Sequence, residues 1–236
     1  VIEYTRDPKW LAIQTLPSMA SPRWKDALSL TSAYYAGATA YSIGQKFPEV
    51  EEAIREWNQT DTTMLESPLT RNQELTNIIL QETPWALEAN NERKHRQQLA
   101  TLFHDVTQEH YRMTMLNALK NLQYPNGSFA WYPGMTGSIF ITQNVACQLA
   151  RLYAQTDNEM PIQREMRQQA FKFLLQEMAK DMRATDKEDE QRLLNRHLNT
   201  LYAIGLTDYR QMLTSQEKAD IQSMISMLKK YASKTD

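Results

Sequence analysis

The sequence predicts an all-α fold, because apolar residues recur at helical spacing, helix-start signals stand where those stripes begin, and glycine is scarce. Ile221, Met224, Ile225, Leu228 and Ala232 follow one another at steps of three and four with charges opposite, the pattern of a one-sided helix. Leu194, His197, Leu198, Leu201 and Tyr202 repeat it, as do Leu99, Leu102, Phe103 and Val106, and Met166, Ala170, Phe173, Leu174 and Met178. Thr214 with Glu217 and Thr70 with Gln73 have capping-box spacing, in which each side chain satisfies an orphan backbone N–H. Pro48, Pro84 and Pro161 each precede a helical stretch, where a missing N–H costs nothing. The six glycines are too few and too clustered for a β-rich chain, three of them falling within residues 127–137.

Two segments differ from the one-sided helices. Ala27 to Ile43 is apolar, aromatic or small on nearly every face, and Ile139 to Ala154 carries Ile141, Val145, Leu149 and Leu152 on one face and Ala146, Cys147, Ala150 and Ala154 on another. Helices apolar all round are buried on more than one side. Alternation of the two kinds implies an inner and an outer layer, which fits an α/α toroid, complete or incomplete; a layered bundle would give the same pattern. No internal repeat and no Pro-, Gly- or Ser-rich linker divides the chain, so residues 1–236 read as a single domain.

Composition excludes several classes. Apolar residues make up 42% of 236, enough for a sizeable core. The net charge of −2 comes from intermixed acids and bases without a basic stripe, which argues against nucleic acid. Cys147 is the single cysteine and has no partner for an internal disulfide. No apolar run approaches the roughly 20 residues of a membrane span. The start, Val1-Ile2-Glu3-Tyr4-Thr5-Arg6, does not have the pattern of a signal peptide, and the chain is expected to be a fragment of a larger multidomain protein.

The main irregular segment runs from Tyr124 to Gly137, Tyr-Pro-Asn-Gly-Ser-Phe-Ala-Trp-Tyr-Pro-Gly-Met-Thr-Gly. It is expected to fold as a packed clasp, its aromatics Phe129, Trp131 and Tyr132 turned back onto the domain and Trp131 mostly buried. Gly127 follows Asn126 in a turn that calls for a positive φ.

Catalytic constellations are hard to find. His104 and His110 are six apart, about 240° around a helix, whereas a zinc pair wants a spacing of four. His95 and His197 add no motif. The run Asp186-Lys-Glu-Asp-Glu190 lacks the glycine turn of a calcium loop and reads as a solvated helix entry. Cys147 lies inside an apolar helix, where a thiol keeps a high pKa. Glu82 and Glu88 flank Thr83-Pro84-Trp85, and carboxylates beside a tryptophan suit a glycosidase, so a glycan-active α/α barrel using Glu82, Glu88 or Glu92 is the enzymatic alternative. No phosphate loop, dinucleotide fingerprint or nucleophile elbow is present, and no metal or cofactor is expected.

Two stretches carry a resemblance. Asn72-Gln-Glu-Leu-Thr-Asn-Ile-Ile-Leu-Gln-Glu-Thr-Pro-Trp-Ala-Leu-Glu-Ala89 resembles a segment of bacterial, Bacteroides-type, alpha-2-macroglobulin-like proteins. Leu119-Lys-Asn-Leu-Gln-Tyr-Pro-Asn-Gly-Ser-Phe-Ala-Trp-Tyr-Pro-Gly-Met135 resembles the same proteins, and its Gln123-x-x-x-Gly127-x-Phe129 core is similar to the clasp of other α/α toroids. The likeness runs from about residue 10 to 205 and implies a thioester domain, an α/α toroid of the cell envelope or periplasm. It also implies Gln123, Gly127, Phe129, Trp131, Pro133 and Gly134 as the structural clasp.

Reactive members of that family carry Cys-x-Glu-Gln, whose cysteine and glutamine close an internal thioester that tethers a target covalently. Here the corresponding stretch is Pro22-Arg-Trp-Lys-Asp-Ala-Leu-Ser-Leu-Thr-Ser-Ala-Tyr-Tyr-Ala-Gly37. Anchored on Tyr34-Tyr35, the cysteine position falls on Asp26 and the glutamine position on Ser29, within one residue. The directing histidine of complement-type members has no counterpart either, since none lies between His110 and His197. The resemblance therefore implies a non-catalytic module without covalent trapping. Its expected partners are neighbouring domains of the parent chain, and proteases or other envelope proteins.

Overall fold

The computed structural model describes residues 8–59, 97–156, 159–184 and 190–232. Its elements are α1 (Pro8–Ala20), α2 (Ala27–Lys46), α3 (Pro48–Gln59), a helical stretch over 97–102, α4 (Asp105–Lys120), strands β1 (Phe129–Ala130) and β2 (Gly137–Ser138), α5 (Ile139–Gln155), α6 (Pro161–Ala184), α7 (Glu190–Gly205), a 3₁₀ turn (Asp208–Gln211) and α8 (Ser215–Ala232). The fold is all-α, as the periodicity predicts. The only sheet among the described residues is the two-residue hairpin β1–β2, with Phe129 opposite Ser138 and Ala130 opposite Gly137.

The chain packs as two compact units. One comprises Val1–Ser21 with Ala36–Arg112, the other Pro22–Tyr35 with Met113–Asp236. Helices α2 and α4 contribute residues to both.

In the first unit, Leu16, Ala36, Ala40, Ile54, Leu99, Leu102 and Phe103 form a buried cluster, flanked by Trp10, Ile13, Val50 and Tyr111. Ile54 is the only fully buried side chain described on α3. Burying one such side chain stabilises by about 1.5–3 kcal/mol, so α3 docks chiefly through this contact. Tyr111 donates its hydroxyl to the carbonyl of Ala20 at 2.6 Å, and burial pushes its pKa up to about 12.

The stripe read across Leu99, Leu102, Phe103 and Val106 is not one helix. The helix ends at 102, the chain turns at Phe103–His104, and α4 begins at Asp105. Polar side chains bond to carbonyls at the break. Thr107 Oγ1 donates to the carbonyls of Thr101 and His104, at 3.1 and 2.9 Å, and Gln108 Nε2 donates to that of Leu102. The spacing of Leu99, Leu102 and Phe103 correctly marks buried residues, but it cannot see a turn that polar side chains stabilise.

In the second unit α5 packs against both α6 and α7, and α8 lies on α7 and α6. As its all-round apolar character predicts, α5 buries Ile141, Val145 and Leu149 together with Ala146, Cys147 and Ala150. Ser138 caps it, accepting from the N–H of Ile141. Pro161 opens α6 and Pro48 opens α3, as expected of proline at a first helical position. The capping box at α8 is formed. Glu217 N–H donates to Thr214 Oγ1 at 3.2 Å, and Thr214 N–H to Glu217 Oε2 at 2.8 Å.

On α7 the buried face is rotated from the expected stripe. Leu193, Leu194, His197, Thr200 and Ile204 are buried, while Leu198 and Tyr202 face solvent. Thr200 and the carbonyl of Arg196 both accept from Gln143 Nε2 of α5, so polar pairing rather than apolar matching sets the face.

Candidate functional site

The two positions that the resemblance aligns with the thioester residues stand at the start of α2. Asp26 is buried and serves as the N-cap: its Oδ1 accepts from the N–H groups of Leu28 and Ser29, each at 3.0 Å. Its Oδ2 accepts from the Ser29 hydroxyl at 2.5 Å. The two side chains are thus in direct contact, one turn apart, and both carboxylate oxygens are engaged by the first turn of the helix. A carboxylate at this end also faces the positive pole of the helix dipole. No sulfur is present at either position; Cys147 lies elsewhere, buried in α5, where its thiol points to the carbonyl of Asn199 at 3.2 Å and burial pushes its pKa up.

The clasp lies beside this cap, the N–H of Ala27 donating to the carbonyl of Trp131 at 3.0 Å. Its first half is a packed frame. Gln123 Nε2 donates to the carbonyl of Gly127 at 3.2 Å and to that of Met166 on α6 at 2.9 Å, tying the loop to a neighbouring helix. Asn126 Oδ1 accepts from the N–H and hydroxyl of Ser128, an Asx turn that supports the bend. Phe129 is fully buried and its N–H donates to Thr142 Oγ1 of α5 at 2.8 Å. Gly127 has φ +91°, as the Asn-Gly pair predicts, and a Cβ there would lie 2.1 Å from the carbonyl oxygen of Gln169.

The second half departs from expectation. Trp131 is 44% exposed and Tyr132 40%, and their rings stack on each other, 6.3 Å apart at 10°, instead of turning inward. Pro133, Gly134 and Met135 are exposed too. The reason lies in the hairpin. Backbone bonding through β1 and β2 and from Tyr124 Oη to the carbonyl of Met135, at 2.6 Å, holds this segment in place without burying its side chains. Trp24, in the segment that leads into α2, and Phe140, in the first turn of α5, are exposed as well.

Other expectations separate. His104 and His110 are exposed, in the turn before α4 and on α4, and among the described residues no group of three His, Cys, Asp or Glu could hold a metal. Glu82, Glu88, Glu92, Thr70, Gln73, Pro84, His95 and Asp186 lie outside the described residues, as does the side chain of Val106. Glu190, the last member of the acidic run, opens α7 and accepts from Lys230 at 2.9 Å.

Sequence reasoning missed a buried polar node on α6. Arg167, with no exposed surface, makes a side-on pair with Glu159: Nε to Oε1 at 2.8 Å and Nη2 to Oε2 at 3.0 Å. Nη2 also reaches Asp208 of the 3₁₀ turn at 3.4 Å, and the guanidinium lies over the Tyr153 ring. One turn earlier, Gln163 Oε1 accepts from the Tyr34 hydroxyl of α2 at 2.6 Å. The signal was present, since positions 163, 167, 170 and 174 fall on one helical stripe whose later members are apolar.

No family model, no curated protein and no solved structure matches the chain.

Two substitutions test this description. Gly127→Val is expected to cost more than about 3 kcal/mol, since it adds a clash to a disfavoured φ, whereas Gly134→Ala, with φ +82° and open space, should cost about 1–2 kcal/mol. Urea melts giving equal losses would contradict the clasp geometry. Asp26→Ala should lose roughly 1 kcal/mol with the cap and Asp26→Asn much less, measured the same way.

Proposed function

We propose that this chain is an alpha-2-macroglobulin-type toroid module that has exchanged thioester chemistry for a structural cap. In this reading it serves a larger envelope or periplasmic protein as a non-catalytic binding or structural element. The observation that carries the reading is the Asp26–Ser29 pair. The two positions are adjacent across one helical turn, as the halves of an internal thioester must be, yet they present a carboxylate and a hydroxyl whose bonds are directed to each other and to the backbone. A carboxylate with both oxygens engaged in a cap offers no acyl group for a nucleophile to capture.

The partners proposed are neighbouring domains of the parent chain, with proteases or other envelope proteins as further candidates. The exposed Trp131, Tyr132 and Met135 support a contact role, because aromatic and methionine side chains are the ones enriched at protein interfaces. A role as a glycan-active enzyme would rest on Glu82, Glu88 and Glu92, and nothing in the described residues favours it.

Amine capture tests the reading. The native protein is expected to keep its intact mass after prolonged incubation with methylamine, and Cys147 to react with thiol reagents at neutral pH only after denaturation. Asp26→Cys combined with Ser29→Gln should not create amine uptake. A methylamine adduct on the unmodified native protein would make it a reactive trap and overturn the proposal.

A further inference from the structure

We propose that His197 is an acid-sensitive latch that holds α7 against α6 in the second unit and lets it go when the ring takes up a proton. The ring is fully buried, and its Nε2 lies 2.8 Å from Asp181 Oδ2 on α6. A carboxylate oxygen can only accept, so Nε2 carries the hydrogen and the lone pair sits on Nδ1. Nδ1 is buried and has no hydrogen-bond partner among the described residues. Protonation would therefore place a new N–H that none of the described residues accepts.

The charges around the ring do not reverse this. On α6, Asp181 favours the charged ring, and Glu177 does so weakly while Lys180 pairs with it. On α7, Arg196 Nε takes the same Asp181 Oδ2 at 3.1 Å, which weakens that carboxylate's hold on a second cation. From α5 the titratable group bonded to α7 is the Cys147 thiol, and from α8 Lys230 and Tyr231 engage Glu190, two turns before His197. Burial outweighs the attraction of Asp181, and the imidazole sits below its ordinary range.

The sign follows. The packed state binds fewer protons than any state with the ring in water. Packing therefore keeps its full strength above the ordinary imidazole pKa near 6.5, weakens as pH falls through it, and goes on weakening down to the lowered value. The ring sits between α6 and α7, and the helix it anchors also covers Cys147, whose Sγ contacts the carbonyl of Asn199, half a turn from His197. Release of α7 should uncover that thiol.

Cys147 thus serves as the reporter. Labelling with a pyridyl disulfide, which stays reactive in acid, is followed from about pH 7.5 to about pH 5, on either side of the ordinary imidazole value. Divided at each pH by the rate of the urea-denatured protein, which removes the thiol's own pH dependence, the rate should rise severalfold in the wild-type protein and stay within about twofold of constant in His197→Gln. A flat profile in the wild type, or equal rises in both proteins, overturns the latch. Should His197→Gln fail to fold, the wild-type NMR titration of the His197 ring decides: a midpoint below about 6.5 supports the latch, and one at or above it overturns it.

Discussion

The second unit depends on a guanidinium kept out of water. Bringing Arg167 into the interior costs several kcal/mol of hydration, which only a well-formed carboxylate fork can offset. Glu159, its side chain only 4% exposed, supplies that fork, Asp208 adds a contact and the Tyr153 ring lies against the guanidinium, while Nη1 has no hydrogen-bond partner among the described residues. The arrangement fixes the rotation of α6 about its axis, because the side chain at 167 must face Glu159. Three other connections then fall into register along residues 163–169. Tyr34 of α2 meets Gln163, Gln123 of the clasp meets the carbonyl of Met166, and the turn at Gly127 comes against the carbonyl of Gln169. A helix rotated by one residue would lose all of them together.

This constraint explains why the start of α2 and the clasp lie side by side. The same helix face holds Tyr34, near the middle of α2, and Gln123, at the root of the clasp, and the backbone bond from Ala27 to Trp131 closes the gap between them. Asp26 and Ser29 belong to this frame as its cap. The clasp divides by function: Gln123 through Ala130 form packed structure, and Trp131 through Met135 form surface. In the proposed reading, the part that once framed a reactive bond is retained as support, and the aromatic tip is what remains available for contact.

Much of the fold was legible because burial writes itself into spacing. The all-round apolar character of Ala27–Ile43, and of Ile139–Ala154 apart from the exposed Phe140 and Ala154, matched their burial, Asn126-Gly127 announced its positive φ, and Thr214 with Glu217 announced a cap. What escaped was set by polar pairs between elements. Arg167 with Glu159, His197 with Asp181, and Gln143 with Thr200 place polar groups inside, and apolar spacing, which does run through positions 167 and 197, says nothing of the partners that hold them. Trp131 failed in the opposite direction. Its size argued for burial, but a backbone hairpin holds it in place without covering it, and side-chain hydrophobicity carries no record of backbone bonding. At the candidate site, Asp26 and Ser29 were reached only through resemblance, although an Asp three residues before a Ser at a helix start is a cap signal in its own right.

Amide hydrogen exchange on Glu159→Gln tests the dependence on α6 most directly. Removing one partner of a buried pair should cost about 3–5 kcal/mol. The account predicts that exchange rises together and by a common factor at the first turns of α2, at Gln123–Ala130 and at the 3₁₀ turn, all of which are tied to α6 within residues 163–169. Acceleration confined to the residues around Arg167, with α2 and the clasp protected as in the wild type, would contradict it.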